Sequence, residues 1–95
     1  MSERKEEMNT RARISEAVYK NVADIFLLNK DHVAAHPELR FREDLHAKSL
    51  QYFPLIGALE TDLDIELDYH RFQNEARTVG LAIDFVSEAY NNQHH

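Results

Sequence analysis

The sequence predicts an all-α domain with three longer helices, one short helix and a long ordered loop between the first two longer ones. Three observations carry that reading. Apolar residues recur at three- and four-residue steps in three separate stretches. β-branched residues are scattered, and no hairpin signal appears. Helix-start residue types (Thr10, Ser49 and Thr78) stand just ahead of those stretches. With 95 residues the helices must share one modest apolar centre.

The first helix is expected from about Asn9 to Leu28, capped by Thr10. Ile14, Ala17, Val18, Val22, Ile25 and Phe26 build its apolar stripe. The domain proper is expected over 9–91, with residues 1–8 a flexible charged head and 92–95 a loose tail. Asn29 to Lys48 carries Pro37 and few periodic apolar residues, so it reads as a loop. A loop that long is uncommon unless packed or functional, and Val33, Leu39, Phe41 and Leu45 are the side chains expected to pin it.

The second helix is expected from an N-cap at Ser49 to about Leu63, with Leu50, Phe53, Ile56, Leu59 and Leu63 inward. Pro54 sits one turn inside, which predicts a kink or a start displaced toward Phe53. A short helix is expected over Tyr69 to Asn74. Thr78 is expected to cap the last helix, with Val79, Ala82, Ile83, Val86 and Tyr90 facing inward.

Composition excludes several functions. The net charge of −6 argues against nucleic acid and against anionic membrane surfaces, because phosphate binding needs a basic face. No apolar run approaches membrane-spanning length, and Met1 to Glu7 is too charged for a signal peptide. The absence of cysteine excludes disulfides, Cys-based zinc sites and thiol catalysis by the chain itself. A cytoplasmic location fits that composition, and nothing suggests more than a monomer. Glu60, Asp62, Asp64, Glu66 and Asp68 crowd one region. Such a run is most often a solvated surface, and it also suits partners with basic docking patches.

The candidate site is Ser49. A serine at a helix start is exposed, held in place and close to unpaired N–H groups that favour phosphate. It is also an ordinary cap. The segment Asp44-Leu45-His46-Ala47-Lys48-Ser49-Leu50 resembles the attachment site of acyl carrier proteins, D-L-x-x-D-S-L. Ile14 to Val33, Leu55 to Leu67 and Thr78 to Val86 resemble that family's other segments in the same order, with about one inserted residue before Thr78. The resemblance covers about 8–91 and implies an acyl-carrier-type four-helix bundle.

It further implies that Ser49 bears a 4′-phosphopantetheine arm delivered from coenzyme A by a phosphopantetheinyl transferase. The arm's thiol would hold acyl groups as thioesters for acyl-loading and acyl-processing enzymes, and the carrier itself would catalyse nothing. Asp44, Lys48 and Leu50 would flank the site, and Tyr52, Gly57, Glu60 and Asp64 would lie on the partner face. The apolar centre would shelter an acyl chain.

Departures from the family pattern point to a specialised member. Lys48 stands where Asp is usual, His46 where Gly is common, Pro54 where an acid is usual and Gly57 where a large apolar residue is frequent. They also motivate an alternative: a carrier-like fold that is not modified and acts as an interaction or regulatory module. Other sites are weaker. His32 and His36 lie four apart, but in the expected loop, and Pro37 disfavours helix at His36. His46 beside Ser49 lacks the third group and oxyanion hole of a hydrolase. The acids from Asp62 to Asp68 lack the Gly of an EF-hand, so no metal site is expected.

Overall fold

A computed structural model describes residues 2–94, with side chains from Thr10 onward. Five helices follow in order: α1 (Ser2–Phe26), α2 (Lys30–Ala35), α3 (Ser49–Leu63), α4 (Tyr69–Glu75) and α5 (Val79–Gln93). α1 packs against α2, α3 and α5, while α4 lies against α3 and α5. The all-α architecture matches the sequence expectation, with one helix added inside the expected loop.

α1 starts at Ser2 and runs through the segment expected to be a flexible head, so Thr10 is an interior residue and not its N-cap. Glu, Arg and Lys are strong helix formers, and neither Gly nor Pro interrupts this stretch. The helix also ends earlier than Leu28. Leu27 turns left-handed (φ 57°), and the Leu28 N–H donates back to the Ala23 carbonyl at 2.8 Å. This closes the helix in a Schellman-type turn. Ile14, Val18, Val22 and Ala23 are buried along its inner stripe, with Ala17, Ile25 and Phe26 packed beside them.

The expected loop is not structureless. Asn29 caps α2 by accepting from the N–H groups of Asp31 and His32, and Val33 anchors the turn in the core. Six residues are too few to show helical periodicity, which hides α2 from a pattern search. After α2 the chain is stitched to the start of α5. The Phe41 N–H donates to the Arg77 carbonyl at 3.0 Å, and the Val79 N–H donates to Leu39 at 3.0 Å. The Gly80 N–H donates to Pro37 at 2.8 Å, and a Cβ on Gly80 would sit 3.3 Å from the same carbonyl oxygen. Phe41 is fully buried, and Leu39 and Leu45 pack against the core as expected.

α3 runs through Pro54 without a displaced start. The proline stands near the beginning, where its missing N–H deprives only the Leu50 carbonyl of a helical donor. The buried stripe of α3 is Tyr52, Leu55, Ile56, Leu59 and Leu63. Leu50 and Phe53, expected inside, are exposed at 77% and 58%. α3 ends at Asp64 in a left-handed turn (φ 53°). Asp68 then caps α4 by accepting from the Arg71 N–H, and Thr78 caps α5 by accepting from the Leu81 N–H at 3.1 Å. On α5, Val79, Ala82, Ile83 and Val86 are buried, and Tyr90 is partly so.

The end of α5 is tied down, although 92–95 reads as a loose tail. The Gln93 amide accepts from the Glu66 N–H at 2.7 Å and donates to the Glu66 carbonyl at 2.8 Å. A long polar side chain satisfying both backbone groups of one residue leaves no hydrophobic signature in sequence. Among the described residues no helix is long and apolar enough to cross a membrane.

Candidate functional site

The N-cap of α3 is Lys48 (φ −99°, ψ 155°), and Ser49 is the first helical residue. The Ser49-cap expectation is therefore one position off. A lysine side chain has no acceptor, so capping here falls to Gln51. The Gln51 side-chain oxygen accepts from the Lys48 N–H at 2.8 Å. The Ser49 hydroxyl takes no part in the cap: the residue is exposed, and among the described residues its Oγ has no hydrogen-bond partner. The first turn of α3 carries no acid, and among the described residues Lys48 forms no ion pair. Helix partial charge and the Lys48 ammonium thus add up to a positive surround for Ser49. A phosphodiester on Oγ suits that surround.

Asp44 is turned away toward Arg40. Its carboxylate accepts from the Arg40 N–H at 2.8 Å and from Nε at 3.4 Å. The backbone N–H first, and then the guanidinium, hold the Asp44 carboxyl below its ordinary range. Asp44 thus shapes the approach to Ser49 by fixing the loop. The turn that follows is strained. His46 has φ 55°, a left-handed conformation that suits glycine and costs other residues about 1–2 kcal/mol. This chain holds the turn with a histidine, the residue expected to stiffen or reshape this loop.

The partner face departs from expectation. Tyr52 is buried, at 2% exposure, and packs its ring against Phe41 and Phe72 at centroid distances of 6.0 and 6.2 Å. Its ring offers a partner protein almost no surface. Period alone fits either a 50–53–56 or a 52–55–59 stripe, and the bulk of the Tyr52 ring selects the second. Gly57 opens onto free space, with nothing within 4 Å of where a Cβ would lie. Glu60 accepts from the Leu67 N–H at 2.9 Å and so fixes the loop after α3. Asp62 accepts from Asn21 Nδ2 at 3.0 Å, while the Asp64 carbonyl meets His94 Nε2 at 2.7 Å. With Asp68 spent as a cap, much of the acidic run serves the chain's own structure.

Sequence reasoning missed two neighbours of Ser49. The Tyr69 hydroxyl donates to the Ser49 carbonyl at 2.8 Å, and its ring stacks on Phe53 at 4.4 Å and 20°. Aromatic pairs of this kind add about 0.5–1.5 kcal/mol beyond area burial. Leu50, Phe53 and the Tyr69 ring therefore give Ser49 an apolar border. The signal was present in part: Phe53 lies four residues after Ser49, one helical turn along the same face. The rings of His32 and His36 lie tilted at 48° with centroids 4.6 Å apart, and among the described residues no group of three or more ligand side chains comes together.

Comparison with known proteins bears directly on this geometry. The chain is 35% identical to the acyl carrier protein of Chlorobium phaeobacteroides over 77 residues, which is 81% of this chain and 95% of that relative. It is 34% identical over the same spans to the acyl carrier proteins of Chlorobium phaeovibrioides and Chlorobium luteolum. The chain belongs to the acyl carrier protein family. No protein-family model matches it. No solved structure matches it either. This acyl carrier family member is all-helical, as the resemblance implies.

Proposed function

We propose that this protein carries acyl intermediates as thioesters on a 4′-phosphopantetheine arm attached to Ser49, as a non-catalytic substrate of partner enzymes in a specialised fatty-acid, polyketide or related pathway. The observation that supports this most is the Ser49 hydroxyl. It sits one residue inside a helix start, exposed, free of protein partners and beside Lys48. Ser49 and Lys48 fit the phosphodiester. The arm supplies the thiol that a cysteine-free chain lacks. A phosphopantetheinyl transferase would supply the base and metal for attack by Oγ on coenzyme A.

The partner face in this reading is Leu50, Phe53 and the flat surface at Gly57, with Asp64 at the far end of α3. Specialisation follows from charge. Lys48 replaces an acid beside the site, which disfavours basic docking patches that acidic carriers attract. Intact mass after incubation with coenzyme A, Mg²⁺ and a broad-specificity transferase tests the proposal. The expected result is a gain of one phosphopantetheine, absent from Ser49→Ala. A folded protein that gains nothing would leave the unmodified interaction module as the better account.

A further inference from the structure

The interior expected to shelter an acyl chain is occupied by rings. Phe41, Tyr52 and Phe72 are all buried and in mutual contact, and Phe85 meets Phe72 edge-on at 5.6 Å. Beside this cluster lies an open cleft of about 590 Å³, lined by Arg40, Arg42, Glu43, Gln73, Asn74, Arg77 and Thr78 over a floor of Tyr52 and Leu81. Three guanidiniums against one carboxylate is unusual lining in a chain of net charge −6. Arg40 is neutralised by Glu43 at 3.1 Å and Asp44 at 3.4 Å. Arg42 and Arg77 have no carboxylate partner among the described residues. They hold only the Gln73 amide oxygen at 3.4 Å and the Asn74 carbonyl at 3.1 Å. Among the described residues no buried polar atom lacks a partner. Tyr52 lines the cleft, and among the described residues its hydroxyl has no hydrogen-bond partner.

The cleft lies close to Ser49 along two elements. On α3, Tyr52 is three residues beyond Ser49. On α4, Gln73 is one turn beyond Tyr69, whose hydroxyl touches Ser49. Along each helix the step is about one turn, about 5.4 Å, with the length of the Tyr69 side chain added on the α4 route. A group tethered at Ser49 therefore faces the arginines at an effective concentration of about millimolar or more. A long alkyl chain gains only from the part of the wall that Tyr52 and Leu81 supply. A carboxylate gains charge-assisted, fork-shaped hydrogen bonds.

We infer that the cleft seats the free end of a carboxylate-terminated acyl group carried on the arm, held by Arg42 and Arg77 with the Tyr52 hydroxyl at its floor. This rests on the carrier function proposed above. It assigns cargo class to a site beside, and separate from, the attachment serine.

The test compares two loaded forms, made by transferring succinyl- or succinamoyl-phosphopantetheine onto Ser49. They match in size and differ in charge. Intact mass first verifies attachment, and side-chain NMR of the arginine Nε–H groups then reports the cleft. Arg42 and Arg77 signals are expected to shift in the succinyl form and stay in place in the succinamoyl form. The Arg77 shift should shrink in Arg42→Gln, and the Arg42 shift in Arg77→Gln. Both should also shrink at about 0.5 M salt, where surface charges are screened.

Identical spectra for the two loaded forms would overturn the cleft assignment and leave the carrier intact. Failure of attachment, read by mass alone, would overturn the carrier reading and the cargo seat with it. Inorganic phosphate and free succinate, titrated into the arm-bearing unacylated protein, form the last arm. Saturation of the cleft by either, with no added effect of tethering, would replace the cargo seat with a free-anion site.

Discussion

The starts of α3 and α5 follow one plan and use their hydroxyls differently. Both helices begin after an extended residue, and each places a hydroxyl at the first turn. At α5 the hydroxyl belongs to the cap itself, and Thr78 Oγ1 is consumed by the Leu81 N–H. At α3 the hydroxyl stands one position further in, and the capping work is done by the Gln51 amide on the Lys48 N–H. A hydroxyl at the cap is structural. The same group shifted by one residue is exposed, oriented and chemically available.

Crossing the two positions breaks the comparison most sharply. Ser49→Ala is expected to abolish attachment of the arm outright, while Thr78→Ala leaves it intact, both read by intact mass. Next come the neighbours within the first turn of α3. Tyr52→Ala should cost about 3–5 kcal/mol in denaturant unfolding, the range for an emptied aromatic core site. Phe53→Ala, one residue on and largely exposed, should cost less than about 1.5 kcal/mol. Equal losses would mean that the burial contrast between the two rings is wrong.

Stability then inverts the first result. Thr78→Ala should lose about 1 kcal/mol as a missing cap, and Ser49→Ala less than about 0.5 kcal/mol. Lys48→Ser sharpens the same point, since it installs a capping hydroxyl where none exists. A gain of about 0.5–1 kcal/mol in urea unfolding is expected.

The smallest effect is on pH. The Asp44 carboxyl is held below its ordinary value of 3.8 in the fold. Its hold on the loop is therefore fully present above that value and fades as pH falls through the lower folded value. Amide exchange at Arg40 should show the loosening, and Asp44→Asn should remove the pH dependence.

Much of this was legible in the sequence because helices advertise themselves by period. The inner stripes of α1 and α5, the Thr78 cap and the pinning residues Val33 and Phe41 all follow from spacing and turn chemistry. The position of Ser49 at the start of α3 was legible too, but its register was not. Serine is a far better cap than lysine by propensity, and only the Gln51 side chain tips the choice. The face of α3 was misread because Leu50 and Phe53 are as apolar as the residues buried in their place. The arginine cleft was invisible because Arg40, Arg42 and Arg77 are gathered from two distant segments by backbone bonds between the loop and the start of α5. Nothing local in either segment signals that meeting.

One phenol oxygen has a mechanical consequence. Through Tyr69 the first residue of α4 is latched to the first residue of α3. The latch is one hydrogen bond and one ring stack, about 1–3 kcal/mol together. Any partner that levers α4 outward must release it, and the release is felt at Ser49. In the carrier role proposed above, the residue that bears the arm is thus also the point at which α4 is held to α3.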